Sequence, residues 1–217
     1  SYTYWSNFPV EGFMSFGTTE GFSIGAFPTH HGHTLVNVIG GVERFSEWKS
    51  NVEENYLKVV SSVPFLASRL VKATREERFF TTADLRNYFR RPFGPGWALV
   101  GDAGYVRDPI TAQGISDSFL SAELLTQAID EVTSGRTHPM SAFAEYERRR
   151  NAQVFRMYDF TLTTASLALV PEDVRFLQSI ARSPKDSNEF FGAFVGTVPI
   201  EKFHHPLNIT RIITANT

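Results

Sequence analysis

The chain has 217 residues, of which 42% are hydrophobic and 20% are charged, a composition typical of a globular protein with one large domain or two unequal lobes. Its 21 Lys and Arg against 23 Asp and Glu leave a net charge of −2, which argues against nucleic acid as a partner. The sequence has no cysteine, which excludes disulfides and thiolate chemistry and favours a cytoplasmic location. No stretch reaches the roughly 18 uninterrupted apolar residues of a membrane helix, so no membrane partner is expected.

Residues 1–91 are predicted to form a first segment built on antiparallel sheet. Two extended runs, FSIGAFP and TLVNVIG, flank a polar turn, which predicts a hairpin from Phe22 to Ile39. Apolar residues then recur at helical spacing from Phe45 to about Val63, which predicts one amphipathic helix. A short helix is predicted from Leu66 to Leu70, and the run from Phe79 to Phe89 is ambiguous between strand and loop.

Aromatic side chains crowd the start of this segment. They fit the hydrophobic face of a sheet, and they also fit the walls of a pocket for an aromatic substrate, so the sequence leaves both interpretations open. The residues concerned are Tyr2, Tyr4, Trp5, Phe8, Phe13, Phe16, Phe22 and Phe27. The turn that follows carries His30, His31 and His33, but no carboxylate accompanies them, so we interpret them as solvated turn residues and predict no metal site.

A second segment, residues 92–136, is predicted to be a strand, a loop and a helix in succession. The strand is the continuous apolar run Trp97 to Val100, a pattern typical of a strand covered on both faces. A loop from Gly101 to Thr111 leads into a helix that ends at Gly135. We expect this helix to bury the apolar face formed by Ile115, Phe119, Ala122, Leu125, Ile129 and Val132.

The third segment, residues 137–217, is predicted to be helical at first and irregular afterwards. A long helix is expected from Ser141 to about Leu169, and a short one from Glu172 to Ala181. The residues after it are rich in Pro, Gly and Asn, which predicts a tail made of loops. The three arginines Arg148 to Arg150 are interpreted as a solvated helix face.

The most informative stretch is GWALVGDAGYVRDPITAQGISDSF, residues 96–119. Ligands of α/β layers lie at the carboxyl ends of strands, so Asp102 is expected to face a crevice. Gly101 and Gly104, on either side of it, lack a Cβ and would let the backbone approach a bound molecule closely. The helix beginning at Gly114 has first-turn amides without intrahelical partners, at the positive end of the helix dipole, so we expect an anion there.

These residues resemble the second FAD-binding motif of the flavin-dependent aromatic hydroxylases and related monooxygenases, the para-hydroxybenzoate hydroxylase type. The resemblance implies that Asp102 hydrogen-bonds a ribityl hydroxyl of FAD and that Pro109 lies beside the isoalloxazine ring. It also implies that backbone amides of the helix start reach the pyrimidine edge. The cofactor-binding residues expected on this basis are Gly101, Asp102, Pro109, Ala112, Gln113, Gly114, Ile115 and Ser116.

The sequence departs from that family in two ways. Tyr105 stands where many members have His, and Ser116 stands where many have Asn, which concerns polar contacts but not backbone contacts. No strand followed by GxGxxG and a helix occurs anywhere in the chain, and neither does the family's mid-chain Asp-Gly motif. We therefore expect a C-terminal fragment of such an enzyme, one that holds FAD weakly or not at all on its own because the pyrophosphate lacks its usual site.

The predicted fold class is α+β, with an antiparallel substrate-domain sheet, an incomplete α/β FAD-binding lobe and long C-terminal helices. The predicted function is that of an FAD-dependent monooxygenase that uses NAD(P)H as a transient reductant and hydroxylates an aromatic or other apolar small molecule. No side chain is predicted to be catalytic, because the flavin carries the chemistry. The Trp-x-Trp-x-Ile-Pro signature of flavin halogenases is absent, which favours oxygenation. The alternative is a non-catalytic flavoprotein remnant that needs a partner chain to complete the site.

Overall fold

The structure is a computed structural model that describes residues 1–18, 21–168 and 170–215. The chain divides into two compact units. Unit 1 contains Ser1–Leu85 and the short stretch Ser166–Ala168, and unit 2 contains Arg86–Ala165 and the described residues after 169. Antiparallel strands and helices occupy largely separate parts of the chain, which confirms the predicted α+β class.

Unit 1 is built on one antiparallel sheet. Its strands are Tyr2–Ser6 (β1), Met14–Gly17 (β2), Phe22–Pro28 (β3), Thr34–Gly40 (β4) and Thr74–Arg75 (β5). They are hydrogen-bonded in the order β2-β3-β4-β1-β5. The predicted hairpin is confirmed as β3 and β4, which pair in register from Phe22 opposite Gly40 to Pro28 opposite Thr34. Of the ambiguous run from Phe79 to Phe89, Phe80 forms an isolated bridge with Tyr2 and the end forms a strand of unit 2.

The helices of unit 1 are Phe45–Trp48 (α1), Val52–Ser61 (α2) and Pro64–Leu70 (α3). The prediction of a single helix from Phe45 to Val63 is wrong, because the helix is interrupted before α2. Asn51 has left the helical conformation, and its side-chain oxygen accepts a hydrogen bond from the amide of Glu54 at 3.3 Å. A polar residue that caps a new helix is thus the reason for the interruption.

The core of unit 1 lies between one face of the sheet and α2 with α3, and its centre is Tyr56. The Tyr56 hydroxyl donates to the carbonyl of Val36 at 2.9 Å and accepts from the indole Nε1 of Trp5 at 3.3 Å. Burial raises the pKa of Tyr56 well above its usual range. The buried phenol ties the helix layer to the sheet through its hydrogen bonds.

Unit 2 is mainly helical. Its strands are Tyr88–Phe89 (β6), Phe93–Gly94 (β7), Trp97–Ala98 (β8) and Tyr105–Val106 (β9), and its helices are Gly114–Thr133 (α4), Pro139–Ala165 (α5), Pro171–Ala181 (α6), Pro184–Phe194 (α7), Ile200–Phe203 (α8) and Pro206–Ala215 (α9). β6 pairs with β9 and β7 pairs with β8, both antiparallel. The predicted end of the long helix near Leu169 lies outside the described residues; α5 ends at Ala165. None of the described helices is long and apolar enough to cross a membrane.

The prediction of a strand buried on both faces over residues 97–100 is wrong. Only Trp97 and Ala98 are in a strand, and that strand is the second arm of a tight hairpin with β7. Trp97 is 45% exposed and Val100 is 38% exposed. The described part of the chain contains no parallel sheet, and Ala98 and Leu99 are only half-buried.

The predicted boundaries of α4 are confirmed, but the predicted buried face is wrong. α4 packs against α5 through Leu124 and Ala128, on a stripe that also carries Asp117 and Ser121. The apolar residues expected to be buried are mostly at the surface, and Phe119 remains 74% exposed. The contact with α5, rather than the distribution of apolar residues along α4, decides which face is covered.

The prediction of a loop-like tail is also wrong, because the described tail folds into α7, α8 and α9. Pro184 is the first residue of α7 and Pro206 is the first residue of α9, a position that proline favours because the first-turn amides have no intrahelical acceptor. The prolines therefore begin helices here. The apolar faces of α7, α8 and α9 form a separate core together with α6. Its buried residues are Phe176, Ile180, Ala193, Phe203 and Ile212.

Candidate functional site

The tight turn Gly101–Gly104 follows the β7–β8 hairpin. Gly101 has a φ of +56°, a conformation that residues with a Cβ adopt only at a cost. A Cβ on Gly101 would lie 2.8 Å from Oγ of Ser118 in α4, and one on Gly104 would lie 3.1 Å from Nη1 of Arg150 in α5. The structure thus gives both glycines a packing role toward the two helices, where the sequence suggested close approach to a ligand.

The backbone of this turn is held by β6. The amide of Arg90 donates to the carbonyl of Gly104 at 2.9 Å, and its guanidinium donates to the carbonyl of Ala103 at 3.3 Å. The hydroxyl of Tyr88 donates to the carbonyl of Asp102 at 3.4 Å. The side chain of Asp102 is exposed, and the described residues offer it no hydrogen bond or ion pair. The turn therefore presents a free carboxylate on a fixed backbone.

The loop between the turn and α4 is anchored at several points. The amide of Asp108 donates to Oδ1 of Asn87 at 2.7 Å, and Oδ1 of Asp108 accepts from the amide of Ile110 at 2.9 Å. Burial raises the pKa of Asp108, and the hydrogen bond from Ile110 opposes that rise. The hydroxyls of Thr111 and Thr161 are 2.8 Å apart in the interior. Pro109 therefore lies exposed in a segment that is held at both sides.

The side chain of Gln113 faces the protein. Its Nε2 donates to the carbonyl of Thr111 at 3.1 Å and to the carbonyl of Phe194, the last residue of α7, at 2.5 Å. These two hydrogen bonds hold the amide nitrogen of the side chain against the protein. Ala112, which precedes it, is exposed and has a φ of +53°, so the chain reverses direction at this point.

The N-terminus of α4 is open. Gly114, Ile115 and Ser116 are exposed, no side chain caps the helix at Gln113, and a Cβ built on Gly114 would meet nothing within 4 Å. The amides of a first turn have no acceptor within their own helix. These amides are therefore free to donate to an acceptor or an anion in front of the helix.

A buried polar cluster, consisting of Tyr105, Arg107 and Asp117, lies under the loop. Nη2 of Arg107 is in direct contact with Oδ2 of Asp117, and the two side chains are 4% and 12% exposed. Burial raises the pKa of Asp117, while Arg107 and the hydroxyl of Tyr105 oppose the rise. Burial, followed by the nearby Asp117, raises the pKa of Tyr105. The local sequence pattern did not reveal this cluster, although an aspartate on the stripe of α4 that carries Leu124 was a signal for it.

Arg150 is also buried, which corrects the prediction that Arg148 to Arg150 form a solvated face. Arg148 pairs with Glu145 at the surface, whereas Arg150 is only 1% exposed. The Arg150 guanidinium lies 5.4 Å from the ring centroid of Tyr105, and its Nη2 donates to Oδ1 of Asn151 at 2.8 Å. It thus packs beneath the Gly101–Gly104 turn.

The remaining predictions concern unit 1. The rings of His30, His31 and His33 lie 5.1 to 6.3 Å apart, and no group of three possible metal ligands is present among the described residues.

The aromatic side chains of the first segment divide between two environments. Trp5, Phe8 and Phe22 are core residues, as a sheet face requires, while Phe13 is 61% exposed and contacts the ring of Phe27. The pocket interpretation stays a prediction for the exposed group.

Comparison with known proteins finds similarity to halogenases and to a probable monooxygenase. No family model matches the chain. It is 29% identical over 142 residues to a tryptophan 2-halogenase of Chondromyces crocatus, an alignment that covers 64% of this chain and 27% of the halogenase. The fold is similar to that of the flavin-dependent brominase Bmp2, with a TM-score of 0.74 and 18% identity over 99% of this chain and 54% of the brominase.

A similar fold occurs in PqsL, described as a probable FAD-dependent monooxygenase from Pseudomonas aeruginosa, with a TM-score of 0.50 and 17% identity over 89% of this chain and 50% of that protein. These similarities do not support the preference for oxygenation, or for the para-hydroxybenzoate hydroxylase type in particular, because halogenases are among the proteins found. The chain spans about a quarter of the length of the curated relative and about half of the solved structures. It has the fold of that part of the flavin-dependent halogenases and monooxygenases.

Proposed function

We propose that this chain forms part of the FAD site of a flavin-dependent oxidoreductase that acts on a small aromatic or other apolar molecule. The observation that carries the proposal is that the exposed carboxylate of Asp102 and the uncapped N-terminus of α4 lie at the two ends of one anchored loop. A carboxylate can accept hydrogen bonds from the hydroxyls of FAD, and free amides can donate hydrogen bonds to the polar edge of its ring. These are the two contacts that the proposal requires.

The residues present fit such a group. The exposed Asp102 is available to accept hydrogen bonds from the ribityl chain, and the amides of Gly114, Ile115 and Ser116 are available to the pyrimidine edge. The exposed ring of Pro109 forms a rigid wall between them. A bound FAD would supply the redox chemistry, taking electrons from a reductant such as NAD(P)H and passing them to dioxygen. This chain's own residues bind and orient the ring system.

The proposal leaves two reactions, and the comparisons favour halogenation. The chain is 29% identical to part of a tryptophan 2-halogenase. Hydroxylation remains the second candidate, because the motif residues resemble those of the aromatic hydroxylases. Product analysis distinguishes them: an aromatic test substrate is incubated with the FAD-loaded protein, a reductant, oxygen and bromide. Incorporation of bromine supports a halogenase, and incorporation of oxygen from labelled dioxygen supports a hydroxylase.

A second candidate function is that of a non-catalytic subunit that requires a partner chain. Four exposed apolar residues favour this view, because surfaces of this kind are usually covered. They are Trp97, Val100, Ile115 and Phe119. On this proposal, a segment with a GxGxxG turn completes the site. A chain that binds FAD only after co-expression with such a segment supports the two-part site, while FAD binding by the chain alone contradicts the need for a partner.

FAD retention by matched variants tests the role of Asp102. Asp102→Ala removes the exposed carboxylate of the turn, and His31→Ala removes an exposed side chain of the other unit. Both are measured in the preparation that binds FAD, by visible absorbance after desalting and by circular dichroism. We expect Asp102→Ala to lose FAD about tenfold more readily, as the loss of a hydrogen bond to a charged group implies, and His31→Ala to retain it. Equal retention by two folded variants would remove Asp102 from the site.

A further inference from the structure

The ion pair formed by Arg107 and Asp117 lies next to the open N-terminus of α4. Asp117 is in the first turn of α4, three residues after Gly114, which corresponds to about 4.5 Å along the helix axis. Arg107 comes from the other end of the loop, immediately after β9. The pair therefore joins the two ends of the loop that carries Pro109.

The opposite charges of the two residues compensate each other in a place that is poorly exposed to solvent. Their side chains are 4% and 12% exposed, so the charge on each is only weakly screened by solvent. The other groups that act on Asp117 are the hydroxyl of Tyr105 and the carboxylate of Asp102, which is a second negative charge. Nε and Nη1 of Arg107 are buried and have no partner among the described residues, so Asp117 is the group that compensates its charge there.

Helix amides and a buried guanidinium both favour negative charge in front of α4, whereas a carboxylate in the first turn opposes it. Asp117 therefore limits the positive potential that Arg107 and the helix would otherwise produce. An oxidised flavin ring is neutral and a reduced one is an anion, so the size of this potential changes the relative affinity for the two states.

We propose that Arg107 and Asp117 are positioning residues whose charge balance sets the reduction potential of the flavin bound in front of α4. This inference rests on the proposed function. The pair clamps the loop mechanically, and the match between its two charges determines how strongly the site prefers the reduced, anionic ring. Neither side chain needs to touch the flavin for this effect, because an uncompensated charge acts over distances of about 10 Å in a poorly screened interior.

The test uses the midpoint potential of the FAD-loaded protein. Asp117→Asn leaves the Arg107 guanidinium charged, since arginine does not deprotonate in proteins. We expect the ratio of affinities for reduced and oxidised FAD to rise about tenfold, which appears as a more positive midpoint potential. The double variant Arg107→Met with Asp117→Asn removes both charges and keeps similar volumes, so its potential is expected to return close to that of the wild type.

A merely mechanical role predicts a different pattern. Loosening the loop weakens oxidised and reduced FAD alike and leaves the potential unmoved, so an unchanged potential in Asp117→Asn overturns the inference. Should that variant fail to fold, the double variant decides alone: a potential far from the wild-type value contradicts charge balance. Glu145→Gln, which breaks the exposed ion pair with Arg148, is the control and is expected to leave the potential unchanged. If the wild-type protein takes up no FAD in any preparation, the proposed function itself fails, and the inference fails with it.

Discussion

Replacement of Gly101 by alanine is expected to destabilise the chain by more than the backbone conformation alone requires. The φ of +56° costs a residue with a Cβ about 1 to 2 kcal/mol. The new methyl group would also lie 2.8 Å from Oγ of Ser118, and that hydroxyl donates to the carbonyl of Gly114 at 2.9 Å, so moving it away breaks a hydrogen bond. Overpacking of this kind adds about 1 to 3 kcal/mol. The total expected loss of unfolding free energy is about 2 to 5 kcal/mol.

Gly135→Ala provides the matched control, because Gly135 lies just beyond the end of α4, the helix on which Gly101 packs. Gly135 has a φ of +71°, and a Cβ there would meet nothing within 4 Å, so only the backbone cost of about 1 to 2 kcal/mol applies. Urea denaturation followed by circular dichroism measures both variants. Adding Ser118→Ala to Gly101→Ala removes the closest atom and is expected to recover part of the loss. If Gly101→Ala costs no more than Gly135→Ala, the close packing of the turn on α4 is wrong.

Three further changes test other parts of the structure. Tyr56→Phe leaves the Val36 carbonyl and the Trp5 indole without their buried partner and is expected to lower the unfolding free energy by about 1 to 3 kcal/mol in urea denaturation. Arg150→Ala opens a cavity among aromatic rings and is expected to cost about 2 to 4 kcal/mol, whereas Arg148→Ala at the surface is expected to cost less than about 0.5 kcal/mol; equal losses would show that Arg150 is not packed. Burial lowers the pKa of His204, so below its ordinary pKa of about 6.5 the unfolded chain binds a proton that the folded chain does not. Stability should therefore fall as the pH drops from about 7.5 to 5.5, and His204→Phe should reduce that fall.

The sequence predicted the elements whose local pattern agrees with their surroundings. The alternation in β3 and β4 and the polar turn between them define the hairpin without reference to the rest of the chain. The Gly135 stop defines the end of α4 in the same way. For the candidate site, the predicted order of strand, loop and helix, together with the resemblance to the flavin-dependent hydroxylases, pointed to Asp102 and to the helix start at Gly114, both of which the structure leaves exposed. Their role toward a cofactor remains a prediction.

The predictions that failed share one physical cause: contacts between distant parts of the chain cannot be inferred from the local pattern of residues. Phe119 is apolar and exposed, while Asp117 is charged and buried. The buried carboxylate is accommodated because Arg107 pairs with it and Tyr105 lies beside it. Arg150 stands in the same charged run as Arg148, a pattern typical of a solvated face, although three aromatic rings of unit 2 surround its guanidinium. A proline in a tail such as this one, Pro206, indicates a loop, but it is equally compatible with the first position of a helix, which it occupies here.

Amide chemical shifts of the isotopically labelled chain, recorded during titration with FAD, decide whether FAD binds between Asp102 and the start of α4, because this measurement detects weak binding and locates it. We expect the largest shifts at Asp102 and at Gly114, Ile115 and Ser116, with little change at His31 in the other unit. Unchanged amides at these four positions over millimolar concentrations of FAD, both in the chain alone and in the co-expressed preparation, or shifts concentrated elsewhere, would contradict FAD binding at this site.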